Sequence, residues 1–515
     1  MMRTRCLVLC DRALIVLIGS VPLVGVAAFG GMVSWSRPLL GGLIFLVALG
    51  WLARSALAGY WPALGSPMTA LGVLAIGLGL VQVAPLPAGL AKRVSPHSQE
   101  LYTLGFLPER AAEEGLDSIP DAAAVRSPAT VDRAATIRWI LGGLAALTLF
   151  SVVGRFADRL GRSMAVWGCV VAGFLLTTVF GLVQLLGGVG GLYGSIKPGQ
   201  GPAWAPSTAD LWLAPIATVL RPIEDAPGTW AVPVPEPTFC LGGLVGGPGA
   251  YLALASLALP LTLGIWLHIL SPRGSREPLG LRLRDTGQGS LVVLLALLTL
   301  LGSGMVGYLG GRWLALPFVL GLLLAGLPAL RGCGVGRWSA SMLAGCALAM
   351  GLGVFLGDTR GRPEGSHPLA EASGWVEARH AWGEALAIAR DFPVLGAGLG
   401  SYPAIGTLYK DSDETTVAIQ SVPGRWAAEG GLFGLAILGL GVLWGLVRLP
   451  WAWKRVGSAE RALAGGLLGA VACLAALSTL QWTVEIAAVG LAAVAVLGTW
   501  DRWLAGGTDL FVDVV

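Results

Sequence analysis

Most of the groups in this chain that could do chemistry fall in or beside one polar stretch, Trp375 to Gly434. Arg379 and His380 stand side by side, Gly396, Gly398 and Gly400 alternate, and Arg425 and Glu429 close the stretch. Arginine stays charged and offers a planar fork of donors, so Arg379 and Arg425 are candidate binders of an anionic substrate, against the plainer role of solvated helix charges. Histidine changes charge near neutrality. His380, and His367 just upstream, are candidate general bases, although a loop histidine is more often simply solvated. The three glycines permit backbone angles and close approaches that a Cβ forbids, and are candidate substrate contacts. Glu429 is a candidate catalytic carboxylate, or else a charge that caps the start of an apolar helix. Arg312, in Gly310-Gly311-Arg312-Trp313, is a further candidate anion binder between two apolar runs; its plainer reading is a snorkelling side chain at a helix end. Seven cysteines are scattered without metal-ligand or disulfide spacing, so neither a metal nor a cofactor is expected.

These groups need elements to hold them. Trp375, Ala378, Trp382, Leu386 and Ala389 recur near helical spacing, with Glu377, Arg379, Glu384 and Arg390 between them. That pattern predicts an amphipathic helix, which Asp391-Phe392-Pro393 ends before the glycine run. An apolar helix then starts near Ala427.

The rest of the chain is far more apolar. Of its 515 residues, 55% are hydrophobic and 12% charged, with a mean hydropathy of +0.74. Soluble domains carry about a quarter charged residues. The expected class is therefore an all-α polytopic membrane protein, because helices satisfy their own backbone in lipid. Runs of membrane-crossing length predict about twelve spans. They lie near 13–32, 38–58, 67–86, 134–153, 163–188, 249–270, 289–309, 312–330, 339–357, 427–447, 463–480 and 481–500. The first is read as an uncleaved anchor, because a second span follows at once. This divides the chain into an N-terminal bundle (1–357), a large loop (358–426) and C-terminal spans with a tail (427–515).

Basic residues set the orientation. Arg54, then Arg155, Arg159 and Arg162, then Arg273 to Arg284, Arg331 and Arg337, and Arg448 to Arg461 all fall on the side of the basic N-terminus if there are twelve spans. Both termini are then cytoplasmic, and three long loops face outward, near 87–133, 189–248 and 358–426. The net charge of +4 says little about partners, and nucleic acid is not among them. Glu485, expected inside the last span, needs a partner there, with Arg312 or Arg138 as candidates.

Arg379-x-x-Trp382, Asp391-Phe-Pro-x-x-Gly-x-Gly-x-Gly-Ser-Tyr402 and Glu429-Gly-Gly-Leu-x-Gly434 together resemble the large periplasmic loop of the O-antigen ligase and polymerase family. Pro85-Leu-Pro87 and Ser95-Pro96 also resemble that family, at the end of its third span. The resemblance implies a GT-C-like membrane fold with a large helical periplasmic loop, in the inner (cytoplasmic) membrane. It implies a transferase that moves a polyprenyl-diphosphate-linked glycan onto a lipid, sugar or protein acceptor, by ligation or polymerisation, without a metal. Arg312, Arg379 and Arg425 would hold the diphosphate. The chain departs from the family where Gln420 and Ser421 stand in place of a His-Asn pair, which leaves His380 or His367 to supply the base. It also lacks the Asn-Pro-Asn-type turn before the sixth span. The alternative is a non-catalytic membrane protein for glycan binding, assembly or export.

Overall fold

The computed structural model describes residues 2–28, 36–59, 66–102, 127–187, 248–271, 288–332, 335–360, 374–409, 421–457, 460–480 and 487–505. Among these the regular structure is helical, with one isolated antiparallel bridge between Leu86 and Ser127. The helices are α1 (Met2–Ala27), α2 (Ser36–Ala58), α3 (Pro67–Val83), α4 (Ala88–Val94), α5 (Pro96–Leu101), α6 (Arg133–Phe156), α7 (Leu160–Gly187) and α8 (Pro248–Leu270). They continue with α9 (Gly289–Gly332), α10 (Gly336–Arg360), α11 (Gly374–Asp391), α12 (Tyr402–Ile405), α13 (Val422–Lys454), α14 (Arg461–Leu480) and α15 (Ala487–Leu504). A 3-10 turn, Gly406–Tyr409, follows α12.

Among the described residues, ten helices are long and apolar enough to cross a membrane, and α3 is a shorter apolar helix. Local chemistry starts several of them. Ser66 caps α3 by accepting from the Thr69 amide at 3.0 Å, with Pro67 in the first position. Asp132 caps α6 through the Ala135 amide, and Ser421 caps α13 through the Gly424 amide.

Two helices are broken by a glycine in a conformation that only glycine adopts readily. In α9 it is Gly311, with φ 62° and ψ −170°; in α13 it is Gly431, with φ 57° and ψ −149°. The break in α9 reverses the chain. Leu259 lies against Gly302 while its neighbour Pro260 lies against Gly321. A straight helix would separate those glycines by nearly 30 Å at 1.5 Å per residue, so the two halves must lie side by side. The apolar runs at 289–309 and 312–330 are thus two antiparallel rods in one continuous helical segment. In α13 the break returns the backbone of Trp426 to within touching distance of Gly434. The run expected to begin near 427 is therefore divided: 422–430 packs with the glycine stretch, and the long apolar rod begins after Gly431.

The core lies around α8, which is almost wholly buried among α7, α9, α14 and α15, while α13 is nearly all on the outside of the bundle. Small residues allow the tightest crossings, such as Gly264 on Gly466 and Gly321 on Gly469. At one end, Asp11 of α1 pairs with Arg54 of α2 and with Arg162 of α7, and Arg162 also reaches Asp158 at 2.7 Å. Helix α6 starts at the opposite end, against the glycine stretch, and its 24 residues carry the chain about 36 Å to that ion cluster. Residues 361–373, 410–420 and 481–486 lie outside the described residues, so His367, Gln420 and Glu485 are not placed.

Candidate functional site

The site begins with α11. It buries Ala381, Ala385, Ile388 and Phe392 against Tyr402, Ile405 and Ala428, and leaves Arg379, His380, Trp382 and Leu386 exposed. It crosses the first half of α13 at Gly424, where a Cβ would lie 3.3 Å from that of Ala385.

From Pro393 the chain turns onto the break in α13. The carbonyls of Pro393 and Val394 accept from the amides of Leu432 and Phe433, 2.9 and 3.4 Å away. Gly396, Gly398 and Gly400 all have positive φ, 75°, 114° and 84°. Each is also a close approach. A Cβ on Gly396 would sit 2.2 Å from the Glu429 carbonyl oxygen, and one on Gly398 would sit 1.9 Å from Thr130 Oγ1. The glycines thus let three backbone segments, 396–400, 428–431 and 129–135, come together. As substrate contacts they are a poorer fit than the sequence suggests. Ala397 N donates to Ala428 O, Gly398 N to Glu429 O, Leu399 N to Gln82 Oε1 and Gly400 N to Glu429 Oε2. Those amides hold the loop, so they are not presented to an anion.

Glu429 and Arg425 have the same character. Both are about 4% exposed, and Arg425 Nε donates to Glu429 Oε1 at 2.7 Å. That carboxylate also accepts from Tyr402 N at 3.0 Å and Gly400 N at 2.9 Å. The geometry ties Glu429 to the glycine loop, with Arg425 as its counter-charge. Above the pair, Tyr402 is buried, and its phenol is raised above the ordinary tyrosine range by burial, then by Glu384, with Arg425 opposing and Glu429 adding.

The residue that ties these segments to the bundle is Gln82, near the end of α3 and fully buried. Its Nε2 donates to the carbonyls of Leu395 and Glu429, and its backbone carbonyl accepts from Ala129 and Thr130. Ser98 adds a bond to the Ala129 carbonyl at 2.7 Å. Sequence reasoning has no handle on Gln82, because it sits at the end of an apolar run and matches no motif. His97 is another such residue. Its ring meets Phe392 edge-on, 5.4 Å between centroids, and its Nδ1 is 3.3 Å from a Glu100 carboxylate oxygen. Ser95-Pro96 marks the start of α5 in the sequence, but nothing there ties His97 to Phe392.

The structure thus places Arg379 and His380 together on the exposed face of α11, with His97 against Phe392 at the end of the same helix. Arg312 is exposed at the break in α9 and stacks loosely over Trp313, 5.7 Å from the ring centre. Helix α11 packs on α13 and on the 3-10 turn, whereas α9 packs on α7, α8, α10 and α14. No family, curated protein or solved structure matches this chain.

Proposed function

We propose that the protein is an O-antigen ligase-type glycosyltransferase of the inner membrane, GT-C-like, moving a polyprenyl-diphosphate-linked glycan onto an envelope acceptor. The observation that carries this reading is the clamp beneath α11. A buried ion pair, a glutamine and three positive-φ glycines fix one amphipathic helix at the end of the bundle opposite the Asp11–Arg54–Arg162 cluster. Its free face presents a cation, Arg379, next to a titratable group, His380. On this reading α3 is a crossing and α9 makes two, giving twelve crossings. An even number puts both termini on one side, and the basic residues at that end make it the cytoplasmic side, with α11 on the periplasmic side.

In this mechanism Arg379, with Arg312 if the two face one cavity, holds the diphosphate and stabilises it as it leaves. His380, His367 or His97 takes the proton of the acceptor hydroxyl as it attacks the anomeric carbon. His97 has a carboxylate beside it to orient its ring. Glu429, Arg425 and the glycines hold the helix in place.

The test is glycan transfer from a polyprenyl-diphosphate donor in proteoliposomes. Arg379→Ala weakens donor use broadly. Loss of the true base lowers the chemical step by roughly 10²–10⁴-fold with donor binding retained. A second reading, a non-catalytic glycan-binding or assembly protein, is favoured by the internal use of the loop amides and of the Arg425–Glu429 pair. It is the outcome if the unmodified protein transfers nothing across several donors and acceptors, or if His97, His367 and His380 can all be replaced by alanine without loss.

A further inference from the structure

Helix α11 has an outer face that the clamp beneath it leaves uncovered. Arg379 and Arg390, both exposed, lie about three turns apart on one line along that face, opposite the buried Ala381, Ala385, Ile388 and Phe392. The two edges beside that line differ. One carries His380, Glu384 and Asp391. The other carries Trp382 and Leu386, one turn apart and 39% and 48% exposed.

The contacts of α11 set its level. At its end, the Pro393 carbonyl accepts from Leu432 N at 2.9 Å, at the head of the long rod of α13, where Leu432 and Phe433 are more than half exposed. About three turns earlier, the Trp382 ring lies against Gly424, 3.8 Å from the place of a Cβ there. Gly424 belongs to the short arm of α13 before the break, and that arm folds back on the rod. The Trp426 carbonyl oxygen is 3.0 Å from the place of a Cβ on Gly434, about one turn inside the rod. Both points along α11 are therefore tied to the depth at which the apolar rod begins. Trp426 also meets Trp139 of α6 edge-on, 6.2 Å between centres, and tryptophans gather where a membrane meets water. The polar edge of α11 meets the 3-10 turn instead, where the Tyr409 hydroxyl donates to Asp391.

We propose that α11 lies on the bilayer as an interfacial helix, with the phospholipids of the leaflet that the α13 rod enters as its partner. Trp382 and Leu386 rest among the upper acyl chains, continuous with Leu432 and Phe433. Arg379 and Arg390 reach lipid phosphates, and His380 stays on the water side. The proposal does not depend on the transferase reading. Under that reading it sets Arg379 at the depth of a lipid-linked diphosphate.

The test uses the full-length, cysteine-free protein in nanodiscs of phosphatidylethanolamine and phosphatidylglycerol. A nitroxide is attached in turn to Leu386→Cys, Arg390→Cys, His380→Cys, Phe433→Cys and Leu408→Cys, all at exposed positions where packing is undisturbed. Each label is relaxed by oxygen, which concentrates in lipid, and by a nickel chelate, which stays in water. The oxygen-to-chelate ratio at 386 should be several-fold that at 408 and approach that at 433. Position 390 should fall between, and 380 should match 408. A ratio at 386 equal to that at 408 would mean that α11 stands clear of the membrane, and overturns the proposal. So does a higher ratio at 380 than at 386, or a fully aqueous reading at 390. Hydroxyl-radical footprinting of the unmodified protein gives a check without substitution. Trp382 should resist oxidation in the nanodisc, and oxidation at the rate of a solvent-exposed indole also overturns the proposal.

Discussion

The side-chain amide of Gln82 donates to the carbonyl oxygen of Glu429, 2.9 Å away and 347 positions later in the chain. The same amide reaches the Leu395 carbonyl, and its oxygen accepts from Leu399. One side chain at the end of α3 therefore holds the glycine loop and the break in α13 in register. Replacing Gln82 by leucine leaves the buried Leu395 carbonyl and Leu399 amide without partners, while the Glu429 carbonyl keeps its bond from Gly398 N. The expected cost is about 2–4 kcal/mol, since each such group costs roughly 1–3 and relaxation recovers part. Hydrogen exchange at residues 397–400 should quicken in the variant while exchange in α8 stays slow. Unchanged protection at 397–400 would show that the loop is held without it.

The Arg425–Glu429 pair should behave as a buried ion pair does. Breaking it from one side, by Glu429→Gln, leaves a cation about 4% exposed with no counter-charge, and should cost about 3–5 kcal/mol. Arg425→Met together with Glu429→Gln should cost less than Glu429→Gln alone, because no charge is left buried. Thermal unfolding of the two variants beside the unmodified protein measures this. A double variant worse than the single one would show that the bonds to Gly400 and Tyr402, and not the charge, are what matter.

Alkaline pH should loosen the same loop. The Tyr402 phenol is raised in the folded protein, first by burial and then by Glu384. A raised folded value means that the stabilisation is complete below the unfolded tyrosine value of about 10, and is lost as pH climbs above it, because the unfolded chain then gives up the proton more readily. Tyr409, raised by burial and by Asp391, acts in the same direction. The melting temperature of the unmodified protein should fall above about pH 10, and Tyr402→Phe should make that fall shallower. Equal slopes in the two proteins would remove Tyr402 from the linkage.

Orientation can be read by thiol labelling in a cysteine-free background. Leu408, on the turn after α12, and Arg455, just past α13, are both exposed. If the clamp end faces the periplasm, a membrane-impermeant reagent applied to spheroplasts should label Leu408→Cys and reach Arg455→Cys only after lysis. The opposite pattern would invert the protein and place Arg379 and His380 in the cytoplasm.

Sequence alone determined the helical membrane class, the position of most apolar helices, and the conformational demand at Gly396, Gly398 and Gly400. These follow from local terms: run length against bilayer thickness, apolar spacing, and the need for a residue without a Cβ. It marked Gly310-Gly311 as a boundary, but the pairing of the two halves of α9 came from Leu259 and Pro260, on another helix. It nominated Glu429 and Arg425 for chemistry because charged residues beside a membrane helix invite that reading. Tertiary structure decided that they bond to each other and to the amides of Gly400 and Tyr402. It also decided the place of Gln82 and His97, which no spacing reveals. A hydrogen bond depends on where two distant backbone segments meet, and neither segment carries a local trace of the other.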